Sequence, residues 1–267
     1  MVDGNELKQL LDFAVEIAGE AAAITSGYFR QSIAVERKAD NSVVTIADRE
    51  AERHLRLRIE KTFPDDGILG EEEGEQGHTS NRRWIIDPID GTYSFVHGVP
   101  LYAVLLALEI DHQPVLGVVQ LPELNETVSA ARGLGCYLNG QPARVSETAS
   151  LKESLLLCTD FASCDAHGFG AAGQALQRQV EARRTWGDAY GHVLVATGRA
   201  EIMLDPIMNV WDCAALAPIL EEAGGTFTNW RGEQTIYGGN AISTNGVLFA
   251  EVMSLVKQTG PAEKARS

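Results

Sequence analysis

The segment Trp84-Ile85-Ile86-Asp87-Pro88-Ile89-Asp90-Gly91-Thr92 carries two aspartates at the end of an apolar run. An apolar strand that stops at acidic residues delivers carboxylates to a strand end. Pro88 restricts the backbone between them and Gly91 lets a ligand approach main-chain amides, so Asp87 and Asp90 can turn toward one point. The Gly91 and Thr92 amides could hold a phosphate if a helix or turn begins there. Upstream, Gly70-Glu71-Glu72-Glu73-Gly74 brackets three carboxylates with glycines, and downstream Asn209-Val210-Trp211-Asp212 sets another in the first turn of a helix. Hard oxygen donors of this kind suit Mg²⁺ or Mn²⁺. Four gathered carboxylates repel one another, whereas two divalent ions about 3.5–4 Å apart would neutralise them and clamp a phosphoryl group. Each piece alone has a plainer reading. The glutamate trio can be a solvated loop, D-P-x-D-G a turn, and Asp212 a first-turn carboxylate favoured by the helix dipole.

Other chemistries find less support. The six histidines show no H-E-x-x-H or paired helical spacing, which argues against a histidine zinc site. Cys136, Cys158, Cys164 and Cys213 form no C-x-x-C pair and read as small buried thiols. No G-x-G-x-x-G follows a strand, so a redox or nucleotide-binding α/β domain is set aside. A formal charge of −15 disfavours nucleic acid and anionic membranes as partners. Positive potential for a phosphorylated substrate must therefore be local, and bound cations supply it. No tract approaches the ~18 apolar residues of a membrane span, and the acidic start Met1-Val2-Asp3-Gly4-Asn5-Glu6 lacks the features of a secretory signal, so a cytoplasmic protein is expected.

These residues need elements to position them. At 267 residues the chain suits one compact unit with a substantial core. Leu7, Leu10, Leu11, Ala14, Val15 and Ala18 have the spacing of a helix with one buried face. A second helix begins near Thr45, where Thr45 and Asp48 make a capping pattern ahead of Ala47, Ala51, Leu55, Ile59 and Phe63, and Pro64-Asp65-Asp66-Gly67 ends it. Strands follow at 84–86, 103–110, 115–120 and 127–131, with a hairpin connection at 111–114 and a two-residue turn at Asn139-Gly140. The second half alternates: a strand at 155–158, helices at about 167–180 and 189–197, a strand at 201–204, and a helix from Trp211 to Ala223 that Pro218 should kink. The expected organisation is a metal-binding α+β half over about 1–145, an α/β half carrying the substrate pocket over about 146–257, and a flexible tail at 258–267.

The ordered set Gly70-Glu71-Glu72, Asp87-Pro88-Ile89-Asp90-Gly91-Thr92 and Trp211-Asp212, followed by Glu221-Glu222-Ala223-Gly224-Gly225, resembles the inositol monophosphatase superfamily over nearly the whole chain. The resemblance implies a mixed α/β fold, the layered α-β-α-β-α sandwich shared with fructose bisphosphatases, and a homodimer. It implies two or three Mg²⁺ ions, with Mn²⁺ as an alternative, held by Glu71, Asp87, the Ile89 carbonyl, Asp90 and Asp212. Thr92 and Asp48 resemble the pair that orients and deprotonates the attacking water, with Glu71 beside them. Asp90 and the amides of Gly91 and Thr92 resemble the phosphate cradle, Glu72 a neighbour of the site, and Lys38 part of a loop that closes near the metals. The implied reaction is in-line attack of water on a small phosphate monoester, without a covalent phosphoenzyme.

Substrate choice must come from the second half. The stretches Arg184 to Gly191, Leu194 to Glu201 and Asp205 to Asp212 resemble the histidinol-phosphatase branch. L-histidinol phosphate carries an ammonium and an imidazole, which acidic residues on the far wall would favour, and Asp188 and Asp205 are the candidates. Asp188 can also cap the helix that follows it. Arg184 is a further candidate and is equally readable as a structural ion-pair partner. Inositol-1-phosphate hydrolysis is the alternative. Nucleotide 3′-phosphates and fructose bisphosphate would need a second basic pocket that no Lys/Arg cluster marks. A catalytically silent phosphometabolite-binding protein should lack one of the carboxylates or the water-orienting pair, and all are present.

Overall fold

A computed structural model of the chain describes residues 3–38, 42–77 and 79–259. Helix α1 (Gly4–Tyr28) starts at Asp3, whose carboxylate accepts from the Asn5 and Glu6 amides, and buries Leu7, Leu10, Leu11, Ala14, Ile17, Ala18 and Ala21 as one stripe. A short antiparallel pair, β1 (Val35–Arg37) and β2 (Val43–Thr45), leads into α2 (Ile46–Thr62). The capping box expected at α2 is present: Asp48 Oδ2 accepts from the Thr45 amide at 2.8 Å.

Both helices cover one face of an eight-stranded sheet. Its strands are β3 (Gly67–Gly70), β4 (Gly74–Gln76), β5 (Arg82–Asp90), then after the short helix α3 (Thr92–Val96), β6 (Ala103–Ile110), β7 (Gln113–Leu121), β8 (Glu126–Ala131), β9 (Gly135–Leu138) and β10 (Gln141–Pro142). Their order is β10-β9-β8-β7-β6-β5-β3-β4, antiparallel except for the β3–β5 pair. The hairpin expected between β6 and β7 closes on two residues, Asp111 and His112, both left-handed, and Asn139-Gly140 turns β9 into β10 in the same way.

Alternation along the central strands serves two cores. Trp84, Ile86, Leu106 and Leu108 pack against α1 and α2, while Ile85, Leu105, Ala107 and Val119 face the other way. This second core contains α6 (Asp188–Ala196), α7 (Val210–Ala214) and α8 (Leu216–Glu222), which lie between the large sheet and a five-stranded one. The second sheet comprises β11 (Leu155–Cys158), β12 (Ala182–Arg184), β13 (Ile202–Asp205), β14 (Thr226–Thr228) and β15 (Ala241–Thr244), in the order β12-β11-β13-β15-β14. Helices α5 (Gly170–Gln179) and α9 (Phe249–Thr259) cover its outer face around a third core with Leu156, Leu204 and Ile242, and α4 (Phe161–Ala166) precedes them. Mixed sheets layered with helices as α-β-α-β-α are the architecture that the family resemblance implied.

Several boundaries move. The strand expected at 84–86 runs through both aspartates to Asp90. The helix expected from Trp211 to Ala223 is two, broken at Ala215, because Pro218 has no N–H for the Ala214 carbonyl. The helix expected from about His167 begins at Gly170, so Gly168-Phe169-Gly170-Ala171-Ala172-Gly173 follows a helix and not a strand. The expected tail from 258 starts too early: α9 continues through Thr259, and 260–267 lie outside the described residues. All four cysteines are buried and free. Among the described residues no helix is long and apolar enough to cross a membrane.

Candidate active site

The site begins as an irregularity in β5. Asp87 pairs with Leu105 and Asp90 with Ala103, so three steps on β5 match two on β6. In a regular strand residues three apart face opposite sides; one extra residue brings Asp90 back to the face of Asp87. Asp87 Oδ1 accepts from the Ile89 amide at 3.1 Å, which tightens the bulge. Gly91 then takes a left-handed φ of 78° before α3 begins at Thr92. Asp212 arrives from the opposite side on α7, with Oδ2 held by the Asn209 amide at 2.6 Å. Carboxylate oxygens of Asp87, Asp90 and Asp212 lie within 4.8 Å of one another.

Such proximity is electrostatically costly and the carboxyls register it. Burial, then the charges of Glu71, Asp90 and Asp212, pushes Asp87 well above the usual carboxylate range. Burial, then Asp188 and Asp212, does the same to Asp90 against the hydrogen bond it takes from Ala189 N at 2.6 Å. Burial pushes Asp212 up to about 7, with Glu71 adding to it. Hard anionic oxygens that repel one another fit a divalent cation.

Glu71 stands beside this trio and outside it. Its amide donates to Ile86 O at 3.2 Å, extending the parallel β3–β5 ladder by one residue, while its Oε1 accepts from Lys38 Nζ at 2.8 Å. Lys38 also reaches Glu72 Oε1 at 2.6 Å. Burial opposes its charge, yet these two bonds hold its ammonium above the ordinary range, and burial pushes Glu72 up to about 7 despite Lys38.

Two residues beneath this turn went unnoticed in the sequence. Glu52 of α2 is fully buried; its carboxylate accepts from the amides of Glu72 at 2.8 Å and Glu73 at 3.0 Å and from Arg56 Nε at 2.8 Å. Gly70 is required by the same packing, since a Cβ there would sit 2.1 Å from Glu52 Oε1. The available signal was charge at Glu52 and Arg56 on the helix face that also carries Asp48, Leu55 and Ile59.

Asp48 is 1% exposed, and burial pushes its carboxyl up to about 6 against the hydrogen bonds from Thr45. Its Oδ2 takes both Thr45 donors, whereas its Oδ1 is buried with no partner. The Thr92 hydroxyl donates to the Ile89 carbonyl at 3.0 Å and makes no hydrogen bond to Asp48.

On the far wall, Asp188 opens α6 with a left-handed φ of 53°, its amide donating to Thr159 Oγ1 at 2.9 Å. It does not cap α6 with its side chain; the Ala189 amide is taken by Asp90 instead. Asp188 Oδ2 would lie 3.0 Å from a Cβ at Gly91, so it overhangs the β5–α3 turn, and burial, then Asp205, pushes it up to about 7. Asp205 ends β13, with Oδ2 3.1 Å from His192 Nε2. Arg184 is not drawn into this cluster. It is exposed, donates to the Arg183 carbonyl and lies over the Trp186 ring.

A layered sandwich with an acidic centre between strand end and helix turn is a candidate metal-binding α/β protein, and comparison makes the class specific. The chain matches the inositol monophosphatase family over residues 6–262 and belongs to it. It is therefore a phosphatase of that family. Over 248 residues it is 44% identical to a histidinol-phosphatase of Chlorobaculum parvum, covering 92% of this chain and 96% of that one. It is 37% identical over 250 residues to a histidinol-phosphatase of Mycobacterium tuberculosis, covering 91% and 96%. The solved Thermotoga maritima IMPase superposes with a TM-score of 0.84 at 33% identity, covering 94% of this chain and 98% of that chain.

Proposed function

We propose that this chain is a Mg²⁺-dependent phosphomonoesterase that hydrolyses L-histidinol phosphate to L-histidinol and phosphate, acting as a cytoplasmic homodimer. The observation that carries the proposal is the convergence of Asp87, Asp90 and Asp212 within 4.8 Å, with Asp188 and Asp205 on the wall beyond them. Asp87, Asp90, Asp212, the Ile89 carbonyl and Glu71 would hold the cations, Glu71 after exchanging Lys38 for a metal. Divalent ions there would acidify a water and offset charge on the phosphoryl oxygens. Asp48 Oδ1, buried and unpartnered, is the acceptor available for a proton from the attacking water, with Thr92 as its neighbour in orienting that water. Asp90 and the amides of Gly91 and Thr92 orient the phosphate for in-line attack.

Substrate choice rests on charge. Asp188 and Asp205 line the wall with acid and favour a cationic alcohol over a neutral polyol. Arg184, paired with Trp186, is left out of that wall. The names of the two relatives above agree with this choice, while the Thermotoga maritima IMPase favours the alternative, inositol-1-phosphate. Phosphate release from the two esters with Mg²⁺ present tests it. A preference of more than about tenfold for inositol phosphate would overturn the substrate assignment and leave the phosphatase reading standing.

A further inference from the structure

His192 lies on α6 with no exposed surface, four residues after Asp188 and therefore one turn along the same face. Its Nε2 is 3.1 Å from Asp205 Oδ2 and its Nδ1 is 2.7 Å from Ser243 Oγ. A carboxylate oxygen accepts, so Nε2 carries the hydrogen, and Nδ1 is left to accept from the Ser243 hydroxyl. The direction of the chain is thereby fixed: Ser243 to His192 to Asp205. Its members come from three elements, β15, α6 and β13, whose packing sets all three positions. The Asp205 backbone is held as well, since its carbonyl accepts from Trp230 Nε1 at 3.0 Å. No hydrogen bond from the described residues reaches Asp205 Oδ1. The charge of Asp205 is felt at Asp90, Asp188 and Asp212 on one side and at the buried thiols Cys158 and Cys164 on the other, so the carboxylate stands where the acidic pocket meets the core behind it.

We propose that His192 is a positioning residue: by donating to one oxygen of Asp205 it locks that carboxylate so that the other oxygen holds the polar head of the alcohol being released. The inference rests on the phosphatase reading above and adds a residue behind the pocket to it. Without the imidazole, Asp205 would lose its fixed donor and could rotate about its side-chain bonds. Contact with the head group would weaken while the phosphate end, held by β5 and α3, would be unaffected. A histidine that merely fills the core would instead alter all substrates alike.

The test uses the full chain with Mg²⁺ and three esters: histidinol phosphate, inositol 1-phosphate and p-nitrophenyl phosphate, whose alcohol has no polar head comparable to the other two. His192→Phe keeps a ring beside Phe227, 5.8 Å away, and removes both hydrogen bonds. It should raise KM about tenfold for whichever polar ester the wild type prefers, with kcat and the KM for p-nitrophenyl phosphate changed less than about threefold. His192→Gln, whose amide nitrogen can stand where Nε2 stood, should recover most of that loss. If the phenylalanine variant does not fold, Ser243→Ala and His192→Gln carry the test, the alanine giving about a threefold rise confined to the polar ester. Equal shifts for all esters, or none in a variant with wild-type Tm, overturn the inference. A wild type that releases phosphate from none of the three overturns the phosphatase reading, and this inference with it.

Discussion

Glu52→Gln should damage the acidic turn without touching any residue that faces substrate. Glu52 accepts three hydrogen bonds, from Glu72 N at 2.8 Å, Glu73 N at 3.0 Å and Arg56 Nε at 2.8 Å, and no part of its side chain is exposed. An amide of the same shape must turn its NH₂ toward at least one of these donors. Arg56, with 7% of its side chain exposed, would keep only the Gly74 carbonyl and the looser Glu73 carboxylate at 3.8 Å. Leaving a buried charge without its partner costs about 3–5 kcal/mol. In a chain of this size that corresponds to a fall in Tm on the order of 10 °C. The turn it supports carries Glu71, so kcat/KM should fall by about a hundredfold, the usual consequence of a displacement near 1 Å in a catalytic group. Calorimetry and Mg²⁺-dependent phosphate release measure the two effects. Gly70→Ala reaches the same contact from the other side, because its Cβ would meet Glu52 Oε1 at 2.1 Å. A glutamine variant with wild-type Tm and activity, or a fully tolerated alanine at 70, would show that Glu52 does not build this turn.

The remaining predictions concern charge. Asp212→Asn removes one member of the repelling trio, so without divalent cations it should raise Tm by a few degrees, roughly 1 kcal/mol, while Mg²⁺ should stabilise it less than wild type and activity should be lost; a lowered metal-free Tm would contradict the repulsion. Asp188 and Asp212 are pushed up to about 7 by burial, so the folded protein retains protons that the unfolded chain releases near pH 4. Their contribution to stability is therefore lost as pH rises from about 4 to about 7, and Mg²⁺, whose binding would require Asp212 to be deprotonated, should raise Tm more at pH 8 than at pH 5; an equal gain at both would refute the linkage. Lys38→Ala removes the cation bridging Glu71 and Glu72, so Mg²⁺ should bind several-fold more tightly by calorimetry; weaker binding would mean that Lys38 organises the site.

Patterns that act over one element were legible in the sequence. The α1 stripe, the Thr45–Asp48 capping box, the β6 limits and the Asn139-Gly140 turn each follow from residue spacing, because the stabilising partners lie within a few residues of one another. Acidic residues at 87, 90 and 212 could be grouped from their motifs. The means of grouping could not: one bulge residue in β5 decides which face Asp90 takes, and it is defined only by register against β6. Buried polar partners were hardest to see. Glu52 and Arg56 resemble an ordinary exposed helix pair until α2 is laid against the Gly70–Gly74 turn, and His192 has no sequence neighbour that betrays Asp205 or Ser243. The partners of Arg184, the Arg183 carbonyl and the Trp186 ring, are likewise set by the chain's path in space.

One construction recurs through the site. Asp87 Oδ1 accepts from Ile89 N, Asp90 Oδ2 from Ala189 N, Asp212 Oδ2 from Asn209 N, Asp48 Oδ2 from Thr45, and Asp205 Oδ2 from His192. In each, one oxygen is pinned by a rigid donor, and no N–H reaches the second from the described residues; beyond these donors, the Asp87 and Asp212 carboxyls have only each other to share a hydrogen bond with. An acid kept for stability alone gains most when both oxygens are satisfied, as Glu52 illustrates. Half-satisfied carboxylates facing one another lower the stability of the fold, and that cost is offset only when a ligand takes the free oxygens. Pinning removes rotational freedom before the ligand arrives, so less entropy is lost on binding and the free oxygens already point to where positive charge must sit. Asp87, Asp90 and Asp212, which face one another, therefore explain both why the isolated chain should be strained at neutral pH and why divalent cations should relieve that strain.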